Sequence, residues 1–306
     1  MSRVAFDHIA IAVPRIEDAL PFLVGELGGR PAGGGAAPGF RFRQWIYGGG
    51  KLELLEPAGR AGGFLHRFLE RRGPGVHHLT FYVPDLAAAC ADAEEHGFPV
   101  VQRDVSDPEW KEAFLHPKAA LSIVVQLVER SGPGSDQASG ARAPASGDPE
   151  PGALGVELVG LRLAAADLGR ARRLWGALLG GSCRVQGDEL EVRWPGSLLR
   201  LLVRRTVEVE PEGPTAVELA CLRPVVLPRG RHPVLGTVFE PVDITELAPP
   251  PLASEEENAF GLAPGAGGGD DAGGAGSEDD AAGSAADADV YFLDGDALEP
   301  DEEDPR

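Results

Sequence analysis

The chain has 306 residues, with 28 Lys+Arg against 48 Asp+Glu and a formal net charge of −20. That balance excludes a nucleic-acid binder, which needs a basic stripe to neutralise phosphate, and no apolar run reaches the ~18 residues of a membrane span. The start, MSRVAFDHIA, lacks the charged and then apolar pattern of a secretory leader, and three scattered cysteines (Cys90, Cys183, Cys221) exclude a disulfide framework and a cysteine-rich zinc site. The expectation is a soluble cytoplasmic protein of about two domains.

Taken in chain order, the first signal is an internal repeat. FDHIAIAVPRIEDA (Phe6–Ala19) aligns with VHHLTFYVPDLAAA (Val76–Ala89) at an offset of 70. Each copy is an alternating strand, then Val-Pro, then a stretch of helical period. The helices are expected over Ile16–Leu27, stopping at Gly28-Gly29, and Leu86–His96, stopping at Gly97, because glycine is the usual residue past a helix end. Each copy then leaves room for further strands: Phe40–Tyr47 in the first, and around Val100–Gln102 and Ala113–Leu115 in the second. The closing strands LELLE (Leu52–Glu56) and VQLVE (Val125–Glu129) match at an offset of 73. Residues 1–130 therefore read as two tandem βαβββ modules, an α+β fold with a cupped mixed sheet.

Residues 131–153 are rich in Gly, Ser, Ala and Pro without apolar periodicity, and read as a flexible linker. Residues 154–247 open with a third copy of the strand and helix, Val156–Gly181. Aligning its Leu-Gly-Gly with the first copy puts Gly160 at the position of His8, Arg200 at that of Glu53 and Glu218 at that of His78, and no second helix follows. This unit reads as a degenerate copy of the same fold. Residues 248–306 form an acidic tail: from Pro249 onward it holds 17 acidic residues and one basic residue, and so most of the net charge. Too little apolar surface is present there to offset ordering entropy, so disorder is expected. Val290–Leu293 is an apolar island within it, a docking motif or an accident of composition.

Strand alternation places His8, Ala10 and Ala12 on one face of the first strand, with His78, Thr80 and Tyr82 sharing a face in the repeat. It sends His77 to the opposite face from His78. If the two copies pack about a pseudo-two-fold axis, His8 meets His78, and Glu53 meets Gln126. Two imidazoles, one carboxylate and one amide oxygen suit a divalent ion such as Co, Zn, Ni, Mn or Fe. A hydrogen-bonded core histidine is the alternative for either imidazole taken alone. Four polar residues at equivalent positions of a repeat are harder to explain separately.

At these residues the front unit resembles the vicinal oxygen chelate superfamily of glyoxalases, bleomycin-resistance proteins and dioxygenases, and within it the methylmalonyl-CoA epimerase branch. FDHIAIAV, KLELLEP, FLHRFLERRGPGVHHLTFYV, FLHPK and LSIVVQLVE carry the likeness, over residues 4–130. It implies a metal held by His8, Glu53, His78 and Gln126, and proton abstraction next to a metal-bound carbonyl, as in an epimerase, isomerase or lyase. Epimerases have Glu at the position of Gln126, and Gln takes no proton at neutral pH; Glu53 is left as the catalytic base. The resemblance also places His116 and Lys118 of FLHPK at a cavity rim. Arg43 and Trp45, alternating along one strand, are expected to line its wall. The substrate expected is a small carbonyl compound or an acyl-CoA, with a homodimer and a protein docked through the tail as further options. Two alternative functions stand beside this: an extradiol-type dioxygenase, and a small-molecule-binding protein without turnover.

Overall fold

The computed structural model describes residues 4–59, 61–131, 155–195, 197–206 and 211–243. The acidic tail with its Val290–Leu293 island, and the expected linker apart from Ser131, lie outside the described residues. Among the described residues no helix is long and apolar enough to cross a membrane.

The front unit is a single eight-stranded mixed sheet, which bears out the tandem βαβββ reading. The first module runs β1 (Ala5–Ala12), a helical segment, β2 (Arg30–Ala37), β3 (Phe40–Tyr47) and β4 (Gly50–Pro57). Helix α1 (Phe64–Arg72) connects it to the second module: β5 (Gly75–Tyr82), α2 (Leu86–Glu95), β6 (Val100–Asp104), β7 (Trp110–Leu115) and β8 (Val124–Arg130). The strand order β2-β3-β4-β1-β5-β8-β7-β6 mirrors one module on the other about the β1–β5 seam. Neither β2 nor α1 was legible beforehand. The first is RPAGGGAA, without apolar alternation, and the second lies between the repeats.

Each module closes in the same way. The last residue of LELLE, Glu56, accepts the backbone N–H of Ile16 at 2.8 Å, and the last of VQLVE, Glu129, accepts that of Leu86 at 2.8 Å. A carboxylate at a helix N-terminus satisfies an orphan donor and meets the positive end of the dipole. Arg41 and Lys111 pair with these same carboxylates. Asp85 also caps α2, accepting from Ala88 N at 2.9 Å, and Gly97 (φ 81°) follows its end. The first helical segment departs from the regular helix expected. It is a 3₁₀ turn, Ile16–Ala19, followed by a wider π turn, Pro21–Glu26. Pro21 has no N–H to give and blocks the α ladder across itself, so the chain tightens before it and widens after it.

The second unit is a six-stranded sheet, ordered β10-β11-β12-β9-β13-β14. Its strands are β9 (Val156–Ala165), β10 (Ser182–Gln186), β11 (Glu189–Arg193), β12 (Arg200–Arg205), β13 (Gly213–Cys221) and β14 (Val238–Val242), with α3 (Leu168–Ala171) extended by a π turn to Leu178. One βαβββ module is complete and the other is reduced to two strands.

The two sheets share one core. Ile9, Ile11, Leu52, Leu79, Phe81 and Val125 of the first sheet belong to the same buried cluster as Leu161, Trp175, Trp194 and Val217 of the second unit. Phe6 stacks on Phe81 (ring centroids 4.8 Å apart), and Trp194 lies 5.4 Å from Phe6 and 5.0 Å from Phe81. The approach is close enough to require glycine at Gly236 (φ 60°), where a β-carbon would lie 1.8 Å from the Pro74 carbonyl oxygen. Trp194→Ala should therefore destabilise the whole protein by about 3–5 kcal/mol. Chemical denaturation followed by far-UV circular dichroism should show one transition moved to lower denaturant. A variant that melts only in part would contradict a common core.

Candidate metal centre

Three strands at the middle of the first sheet build the site. β1 pairs with β4 in parallel and with β5 antiparallel, so that Ala10 lies opposite both Glu53 and His78, with His8 two residues earlier on the same face. Glu53 Oε1 is 3.6 Å from His8 Nε2 and 3.8 Å from His78 Nε2. One ligand atom of each of His8, Glu53 and His78 falls within 4.8 Å of the other two, and all three residues are buried.

The backbone departs from regular alternation at two matching places. Pairing of β1 with β5 skips Asp7, between Phe6 and His8, and His77, between Val76 and His78. Such bulges turn the extra residue out of the alternating pattern. His77 is therefore not aimed away from His78, as strict alternation predicted: the two Nδ1 atoms are 3.0 Å apart. In the equivalent place, Asp7 Oδ2 accepts from His8 Nδ1 at 2.8 Å, and its other oxygen lies 2.6 Å from Lys51 Nζ.

These outer partners give the two imidazoles opposite character. Burial disfavours the His8 cation, but Glu53 and Asp7 outweigh it and push the group up to about 9. For His78, burial and the neighbouring His77 act together and hold the ring well below the ordinary histidine range, hence neutral. His77 is itself pushed down to about 4, by burial and then Arg72, with its ring 4.9 Å from that of Phe68. Burial would raise Glu53, but the nearby His8 keeps it below the ordinary carboxylate range. His78 Nε2 is buried with no hydrogen-bond partner. An orphaned ring nitrogen beside a carboxylate and a second imidazole is what a divalent cation would satisfy, so the residues fit one.

Gln126 joins through one hydroxyl. Thr80 Oγ1 donates to Gln126 Oε1 at 2.6 Å and lies 3.0 Å from His8 Nε2. Gln126 Nε2 donates to Glu112 Oε2 at 2.7 Å, and Trp110 Nε1 donates to the same oxygen at 2.9 Å. Gln44 Nε2 donates to Glu53 Oε2 at 2.8 Å.

The remaining expected residues do not join the cluster. Trp45 is 3% exposed and packs in the main core, on the far side of the sheet, because β3 presents Gln44 rather than its neighbours to Glu53. Arg43 shares the strand parity of Trp45 and is exposed. His116 and Lys118 occupy the turn after β7, where the Lys118 backbone N–H donates to His116 Nδ1 at 3.1 Å. Gln44, Asp7, His77 and Glu112 were missed. The first needed the strand pairing, the next two needed the bulges, and only the polar break in the strand WKEAFL hinted at Glu112.

Residues 7–114 match the Glyoxalase/Bleomycin resistance protein/Dioxygenase superfamily. The human mitochondrial methylmalonyl-CoA epimerase is 30% identical over 140 residues, 40% of this chain and 71% of that protein. The chain belongs to the glyoxalase/bleomycin resistance/dioxygenase superfamily. Another relative is the uncharacterized protein YqjC of Bacillus subtilis, 30% identical over 41% of this chain and 92% of its own length. A solved methylmalonyl-CoA epimerase in complex with methylmalonyl-CoA and NH4+ is 27% identical, covers 43% of this chain and 97% of its own, and superposes with a TM-score of 0.39.

A second sheet with a similar strand order follows the first, and among the described residues the His/Glu/His cluster lies in the first sheet. Pairing in the second sheet corrects the alignment made from sequence. Its bulge at Val159 matches the one at Asp7, so Gly160 does stand for His8. Arg162 then takes the place of Ala10, which puts Leu202 at the position of Glu53 and Ala216 at that of His78. Arg200 and Glu218 stand instead for Lys51 and Thr80, two residues along each strand from where sequence matching placed them. Glu240 stands for Gln126. An ion network occupies the site's place: fully buried Glu218 meets Arg162 Nε at 2.8 Å and Arg200 Nε at 2.7 Å, and Arg162 reaches Glu240 at 2.8 Å.

Glu218→Ala removes the buried carboxylate that two arginines share, leaving Arg162 with Glu240 and Arg200 with Glu191, and should lower stability by about 3 kcal/mol, read by denaturant titration; a loss below 1 kcal/mol (about a surface pair's worth) would count against a buried network. Gln126→Glu sets a second carboxylate against Glu112, where like charges raise a carboxyl pKa. Its stability should fall below wild type by about 1–3 kcal/mol near pH 8, seen as a lower melting temperature, and recover as falling pH protonates the pair. Adding Glu112→Gln should remove the pH dependence. A single variant as stable as wild type at both pH values would disprove the Gln126–Glu112 contact.

Proposed function

We propose that this protein is a metal-dependent enzyme that moves a proton next to a carbonyl group, in the manner of a methylmalonyl-CoA epimerase or a glyoxalase. The convergence of His8, Glu53 and His78 within 4.8 Å, with His78 Nε2 buried and unpartnered, is the observation that carries the reading. These three residues would hold a divalent cation of the Co, Zn, Ni, Mn or Fe group, with Gln126 as fourth ligand. When bound, such an ion supplies Lewis-acid polarisation of a carbonyl oxygen.

The other tasks fall to this chain's own side chains. Asp7 fixes the His8 ring through its Nδ1–H, and His77 does the same for His78. Glu112 and Thr80 pin the Gln126 amide so that its oxygen faces Thr80 rather than Glu112. Leu55, Leu65 and Phe68, with Phe40, Phe42 and Phe64 packed against them, keep water from one end of the site. Glu53 takes the proton: its Oε1 faces the imidazoles and its Oε2 is oriented by Gln44. With one carboxylate in the set, Glu53 removing and returning the proton on one face gives exchange, and inversion at that carbon requires the Glu53 carboxylate to move or a second proton donor to act from the opposite face. The human relative's name supports an acyl-CoA as substrate class.

The test is solvent exchange. Metal-loaded protein in deuterated buffer should wash deuterium into the carbon between the two carbonyl groups of methylmalonyl-CoA, well above a metal-free control. Metal analysis should show that His8→Ala and His78→Ala lose the ion while keeping their circular dichroism; unchanged metal content in both would refute the ligand set. One observation favours a second reading, binding without turnover: a carboxylate held below its ordinary range is a weak base. Binding of the thioester with no exchange above control would select that reading.

A further inference from the structure

The face of the sheet that carries the ligands is polarised along its strands. One end is apolar, around Leu55 and Phe68. The other end is cationic and aromatic. Arg130, exposed at the end of β8, has its guanidinium carbon 5.7 Å from the ring centroids of both Tyr82 and Trp110. Lys51 Nζ lies 5.9 Å from the centroid of Tyr82. Lys51 is already matched by Asp7. Arg130 has no carboxylate partner among the described residues; one of its N–H donors reaches the Tyr82 hydroxyl at 3.4 Å. A guanidinium stacked between two rings keeps its hydrogen-bonding edge open for a bidentate anion.

We infer that Arg130 and Lys51, framed by Tyr82 and Trp110, form a subsite for the phosphorylated tail of the substrate. The inference rests on the acyl-CoA reading above and deepens it. Spacing selects the tail. Lys51 is two residues from Glu53 and Arg130 four from Gln126, which at ~3.3 Å per residue sets their strand positions ~7 and ~13 Å from those of the ligands. A carboxylate one carbon from a carbonyl held at the ligands cannot span that distance. A phosphate at the far end of a long thioester can. The exposed indole of Trp110, 36% accessible, gives a nucleotide base a surface to stack on.

Calorimetry on the full chain tests this with adenosine 3′,5′-bisphosphate as probe and malonate as the carboxylate control, both in the presence of a chelator. The bisphosphate should bind wild type, lose about tenfold or more in affinity in Arg130→Gln, recover in part in Arg130→Lys, and weaken with salt. Malonate should respond to neither variant. Equal bisphosphate affinity in wild type and Arg130→Gln, or no bisphosphate binding to wild type, would overturn the subsite. Malonate binding that falls with Arg130→Gln while the bisphosphate does not would overturn the assignment to phosphate. Because no metal is present, failure of the ligand set would leave this result untouched, and cobalt titration of the same three proteins reads the ligand set separately.

Discussion

Two matched β-bulges govern the centre of this protein. In an unbroken strand Asp7 and His77 would point away from His8 and His78. The extra residue in each strand brings both back, so that each imidazole has an outer partner on the nitrogen facing away from the site. The backbone is symmetric and the chemistry is not. A carboxylate stands behind His8 and favours its cation. An imidazole stands behind His78 and keeps it neutral. Glu53 lies between a ring that gives charge and one that offers a lone pair.

Burial forces such compensation wherever polar groups enter the sheet, and the second unit meets the same demand differently. At the positions where the first sheet has its ligands, the second has Gly160, Leu202, Ala216 and Glu240, with Arg162, Arg200 and Glu218 making a self-sufficient ion network. That network runs on to Glu240 and Glu191, so each of its charges has a partner of opposite sign. The two sheets then behave as one body, because Trp194 and Trp175 complete the aromatic stack begun by Phe6 and Phe81. The second sheet thus contributes to the shared core and, among the described residues, holds no His/Glu/His cluster.

An amide at position 126 suits the carboxylate beside it. A carboxylate on the neighbouring strand accepts the Gln126 amide N–H, and a second acid there would face like charge at hydrogen-bond distance. Glu112 is in turn held by an indole N–H and an amide N–H. The same face runs from phenylalanines at one end to Arg130 and Lys51 at the other, a gradient that admits an elongated ligand in one direction.

The repeat, the strand alternation and the glycine stops were legible from the sequence because they are local: each depends on a period of two or of about four residues. They were enough to bring His8, Glu53 and His78 together on paper, since a duplicated module constrains where its copies meet. Trp45 was misread because the parity of β3 relative to β4 is decided by pairing with Glu53, which lies in no local pattern. Asp7 and His77 stayed hidden because a bulge is a property of two strands in register. The degenerate copy slipped by two residues because its loops differ in length and nothing in one chain segment records that. Local chemistry dictated which elements form and which side chains share a face; only the pairing of strands distant in sequence decided which of those side chains touch.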